Sequence, residues 1–107
     1  MISESELVAA IGALEKEALQ RWIDLGWVIA VRDLPELRFD AADVARVRLI
    51  CELHYDLSIE EDSMPVVLSL LDQLYTERRA LRALISAVAA QPDNVRASIA
   101  ALAQSKL

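Results

Sequence analysis

The sequence predicts a mainly α-helical protein in which a small helix-turn-helix domain leads into one long helix. Three observations point there. Glycine and proline are scarce, at two and three copies in 107 residues, while 55% of the chain is hydrophobic, a balance that favours helices over a strand-and-turn protein. Residues 65–90, PVVLSLLDQLYTERRALRALISAVAA, repeat apolar side chains at alternating steps of three and four, the period of one helix face. Ahead of them, two short helical patterns are joined by a glycine-containing turn, which is a helix-turn-helix arrangement. The length fits one domain with an extension, divided here into a domain at 1–63, a long helix at 64–90 and a helical tail at 91–107.

Ser3 followed by Glu6 predicts a capping box, with Ile2 against Leu7 as its hydrophobic staple. The first helix should run from Glu4 to Ile11 and stop at a left-handed Gly12. The second, Glu15 to Leu25, sets Ala18, Leu19, Trp22 and Leu25 on one face, and Gly26 ends it. Trp27 to Val31 is rich in β-formers, Asp33-Leu34-Pro35-Glu36 supplies turn chemistry, and Leu37 to Phe39 can pair back. That is a small hairpin, or wing. Asp40 caps a third helix from Ala41 to about Leu57. Asp43 lies in its first turn, and Val44, Val47, Leu49, Ile50, Cys51, Leu53 and Leu57 form its buried side. His54 lies on the edge of that face and reads as a satisfied boundary residue. Ser58 with Glu61 predicts another capping box before Pro65 opens the long helix. Beyond Gln91-Pro92, Asp93 should cap a last short helix carrying Val95, Ile99 and Leu102.

The long helix reads as a dimerisation element. Val67, Leu71, Leu74, Arg78, Leu81, Ile85 and Val88 form the seam, and Leu68, Leu70 and Leu84 lie beside it. Arg78 is a polar break of the kind that fixes register or partner. The competing expectation is a helix folded back on its own domain.

No catalytic constellation is visible. The single histidine and single cysteine, His54 and Cys51, lie three residues apart without a third partner, and no phosphate loop, paired-cysteine motif or histidine cluster occurs. The expectation is a binding protein with no cofactor and no metal, in which Cys51 is a small core residue. No membrane-spanning run or signal segment is present, so a soluble cytoplasmic protein is expected. The net charge of −6 repels a phosphate backbone, whereas Glu52, Asp56, Glu60, Glu61 and Asp62 concentrate acid without an intervening base and would steer a basic partner. Sequence alone does not separate that patch from the acidic second-helix face of Glu15, Glu17 and Asp24.

The order of elements resembles the MerR superfamily, through Leu19-Gln20-Arg21-Trp22-Ile23-Asp24-Leu25-Gly26-Trp27-Val28, Arg32 and Asp43 to Ile50. It departs where DNA-binding members carry backbone-gripping arginine and aromatic residues, having Gln20, Arg21 and Trp22 there. The usual glycine before the next helix is replaced by Tyr55-Asp56-Leu57-Ser58. These departures resemble the CbpM branch, as do Phe39-Asp40, Leu53 to Glu60 and Val66 to Asp72 at that family's spacing. The resemblance implies a MerR-like winged helix-turn-helix with a long dimerisation helix. It implies a homodimeric chaperone modulator that binds the J-domain of a CbpA/DnaJ-like co-chaperone and blocks its stimulation of the Hsp70 DnaK. The alternative is a MerR-type transcription regulator with Arg21, Arg32 and Arg38 on DNA phosphates. A pure dimerisation module is a third class.

Overall fold

A computed structural model describes residues 1–33 and 36–107, with the Arg32 and Asp33 side chains left aside. Leu34 and Pro35 of the expected turn therefore lie outside the described residues. The chain is mainly helical. In order come β1 (Ile2–Ser3), α1 (Glu4–Ala10), α2 (Lys16–Asp24), β2 (Val31–Asp33), β3 (Glu36–Phe39) and α3 (Ala41–Cys51). A π-helical turn, Glu52–Asp56, and a 3₁₀ turn, Glu61–Ser63, then lead to α4 (Met64–Ala89) and α5 (Asp93–Lys106).

The chain divides into two units, residues 1–68 and 69–107. In the first, Leu7, Leu19, Trp22, Val28, Phe39, Val47, Ile50 and Met64 are fully buried, and Leu14, Leu53 and Leu68 nearly so. The core thus takes side chains from both short helices, β3, α3 and the first turns of α4. Its sheet is antiparallel in the order β1-β3-β2, with Ile2 opposite Phe39 and Val31 opposite Arg38.

Local chemistry explains most of the boundaries. The Ser3 hydroxyl accepts the Glu6 N–H at 3.2 Å and donates to the Glu6 carboxylate, so Ser3 caps α1, but Glu6 meets the hydroxyl instead of the Ser3 backbone N–H and the expected capping box is only half made. Asp40 and Asp43 make a reciprocal capping box at 2.8 and 3.0 Å. Gly26 takes φ +80°, and the Gly26 and Trp27 N–H groups bond back to the Ile23 and Trp22 carbonyls, closing α2 with a Schellman turn that needs a residue without Cβ.

Several expectations are corrected. Gly12 is not left-handed, because Ile11 turns extended first and its N–H closes on the Leu7 carbonyl. Leu25 is 55% exposed and Leu57 66% exposed, since each sits at a helix end where the chain turns away from the core. β2 begins at Val31 rather than Trp27, because Val28 is buried and Trp27 stacks on Trp22 with centroids 6.4 Å apart. β1 is an edge strand that the sequence did not announce. Two residues are too short for an alternating pattern. Pro92, not Asp93, occupies the N-cap position of α5, and Asp93 pairs instead with Arg96.

Ser58 and Glu61 do not form a capping box. Ser58 adopts φ +57°, the left-handed position at the end of the π turn, and the Ile59 N–H returns to the Leu53 carbonyl at 2.9 Å. The Glu61 side chain faces α2 instead.

Candidate functional site: an acidic and aromatic surface around Tyr55

Trp22 is the centre of the site although it is fully buried. A buried indole N–H requires an acceptor, and Glu61 supplies one. Its Oε1 accepts from Trp22 Nε1 at 2.7 Å and from Arg21 Nε at 2.9 Å, while Oε2 accepts from Arg21 Nη2 at 3.1 Å. The two-pronged match of guanidinium to carboxylate fixes both side chains. Partial desolvation alone would raise the Glu61 pKa. The indole and guanidinium hydrogen bonds, with the Arg21 charge, outweigh it and hold the carboxyl below its ordinary value.

Around this clasp lie aromatic rings. His54 meets Tyr55 edge-on at 4.9 Å, and Trp22 lies 6.5 Å from Tyr55. The half-buried His54 places Nδ1 2.8 Å from the Ile59 carbonyl, so it is the satisfied boundary residue its position suggested. Tyr55 is 38% exposed. Its pKa is raised, first by desolvation and then by the negative environment of Cys51, Glu15 and Glu61, against Arg21. The Glu15 charge, from the acidic second-helix face, therefore acts on Tyr55 together with that of Glu61.

Glu52, Asp56, Glu60 and Asp62 are exposed, while Glu61 is half-buried within its clasp. Glu52 and Asp56 lie on the π turn beside Cys51, whose thiol is raised to about 11, chiefly by burial and further by those two carboxylates, with Arg48 opposing. Cys51 is buried, as its place in the apolar pattern implied. Of the residues named for phosphate contact, Arg21 is held by Glu61, Arg38 is exposed on β3, and the Arg32 side chain lies outside the described residues. The seam residues Leu74, Arg78, Leu81 and Ile85 are exposed, and Val67, Leu71 and Val88 are half-buried.

Trp22 is the member sequence reading missed, whereas Glu15 already stood in the acidic second-helix face left as an alternative. Trp22 pairs with an acid 39 positions away, and no local pattern carries that pairing. Two further surface clefts, of about 260 and 290 Å³, share Glu4 and Leu37. Among the described residues no cluster of three metal-ligating side chains occurs, and no helix is long and apolar enough to cross a membrane. Known protein families, curated proteins and solved structures give no match to this chain.

Proposed function

We propose that this chain is a CbpM-like chaperone modulator, binding the J-domain of a CbpA/DnaJ-like co-chaperone and inhibiting its stimulation of DnaK. In this reading α1 and α2 are the helix-turn-helix of a MerR-like fold, β2–β3 is the wing, and α4 pairs two copies into a homodimer. The surface around Tyr55 carries the proposal. A half-exposed aromatic ring next to Asp56 in the chain and under the charges of Glu15 and Glu61 offers a basic helix both an anchor and steering charge. The same surface counts against the transcription-regulator alternative. Arg21, the cation that helix would bring to a phosphate, is already neutralised by Glu61, leaving Lys16 against Glu15, Glu17 and Asp24.

Calorimetric titration with a CbpA-like J-domain tests the proposal. A saturable complex that weakens with salt is expected. Joint reversal of Glu52, Asp56 and Glu60 to lysine should weaken it by roughly tenfold or more, given the few tenths to 1 kcal/mol expected of each exposed charge pair, with helix content unchanged. Unaltered affinity in that variant moves the site elsewhere, and absence of any complex sinks the reading.

A further inference from the structure

All three basic residues of α4 lie within 78–82. Arg78, Arg79 and Arg82 line a surface cleft of about 250 Å³ together with Tyr75. Their spacing of three and four sets the side chains on adjoining turns of one side of the helix. All four are exposed. Arg82 stands four residues from Arg78 and three from Arg79, so the face repels itself. No acid lies three or four residues from any of these arginines to relieve the repulsion. Glu77, the only acid between Asp72 and Asp93, has no base at those distances either. Among the described residues none of the three forms an ion pair, whereas Arg21 and Arg96 are each held by a carboxylate. A helix that keeps three unmatched guanidinium groups together, against its own stability, has a reason outside itself.

This face is separate from the apolar one. At 3.6 residues per turn, Tyr75, Arg79 and Arg82 lie roughly 100° around the helix from Leu74, Leu81 and Ile85, with Arg78 between the two groups. The two faces can therefore be occupied independently. The charges set the chemistry of the occupant. Guanidinium groups present paired N–H donors that match phosphate oxygens two at a time. A carboxylate brings one negative charge, and a diphosphate group comes closer to balancing three positive ones. The chain's net charge of −6 disfavours a long polyanion. The cleft falls just below the roughly 300–1,000 Å³ of sites that enclose drug-sized ligands, which suits a smaller anion. Tyr75 adds an exposed ring on which a base can stack and a hydroxyl that donates to phosphate.

We propose that Tyr75, Arg78, Arg79 and Arg82 form a binding site for a small molecule bearing a diphosphate group, with the arginines on its phosphate oxygens. The site goes beyond the co-chaperone reading and does not depend on it.

Titration calorimetry of the full chain with ADP, AMP, inorganic pyrophosphate and a short single-stranded oligonucleotide tests this. ADP should bind saturably, and AMP at least about fivefold more weakly. Arg79→Gln with Arg82→Gln should weaken ADP at least about tenfold, with helix content unchanged because neither side chain is buried. Arg79→Lys with Arg82→Lys keeps the charge but loses the planar fork, and should weaken ADP about threefold. Arg96→Gln with Lys106→Gln removes the same charge from α5 and should change the affinity less than about twofold. An advantage of ADP over pyrophosphate that Tyr75→Leu abolishes supports the site and identifies a nucleotide as its ligand. Equal binding of the two supports it with a phosphate group that carries no base. No binding of ADP or pyrophosphate overturns the site, as does an equal loss in the α5 control. An oligonucleotide bound at least about tenfold tighter than ADP overturns it too, in favour of a nucleic-acid surface. None of these outcomes bears on the J-domain titration.

Discussion

The Glu61 carboxylate accepts from an indole and a guanidinium on α2, from residues 39 and 40 positions earlier. Hydrogen bonds to a charged acceptor contribute about 1.5–3 kcal/mol when sheltered, less here because Arg21 is half exposed. Glu61→Gln should therefore cost about 1 kcal/mol, and Glu61→Ala more, since it also leaves a buried indole N–H unpaired. The folded pKa is depressed, so the carboxylate's contribution is complete above the ordinary value of about 4.3 and disappears as pH falls through the lower folded value. Urea denaturation of both proteins across acidic pH checks this. The stability gap should close below about pH 4, and a gap independent of pH would remove the role assigned to the carboxylate. Sequence showed Glu61 as one acid in a run of three. Nothing local distinguishes the one that turns inward, because the choice depends on which residue comes level with Trp22 in the folded domain.

At the scale of elements, what the sequence made legible was set by short-range chemistry. The Asp40 cap, the Gly26 stop, the long helix from Met64 to Ala89 and the β3 return strand each follow from residues within one turn of the boundary. What escaped it was set by tertiary packing: the two-residue edge strand β1, the late start of β2, and the π turn at Glu52–Asp56. That turn ends with Ser58 at φ +57°, a conformation that costs a residue with Cβ about 1–2 kcal/mol. Glycine bears no such penalty there but loses more entropy on folding. Ser58→Gly should therefore stabilise the domain by about 0.5–1 kcal/mol, read as a higher urea midpoint at constant slope. A lower midpoint would mean that the hydroxyl, not the backbone, determines the residue at that turn.

Across the whole molecule, charge and burial are divided. Residues 1–68 hold fourteen acids and six bases, for a formal charge of −8, and residues 69–107 hold three acids and five bases, for +2. The buried side chains also lie in the first unit. An unaccompanied helix without a core is marginal in water, so hydrogen exchange should separate the two units. On dilution through the dimer Kd, amides of 69–89 and 93–106 should lose protection together, while those of Trp22, Val47 and Ile50 keep theirs. Protection in 69–107 that ignores concentration would show these helices stable without a partner. The division was only partly legible. The seam residues announce a wish for burial, but which of them stay exposed in a single copy depends on where the core of 1–68 ends, at Leu68.

The stack of Trp22 on Trp27 has an optical consequence. These are the chain's only tryptophans, and both belong to residues 1–68, so indole emission reports on that unit and is blind to the other. Far-ultraviolet circular dichroism, by contrast, draws much of its amplitude from α4 and α5. A melt followed by both signals thus compares two regions of one molecule: coincident curves mean that they unfold as one cooperative system, and divergent curves date the loss of each.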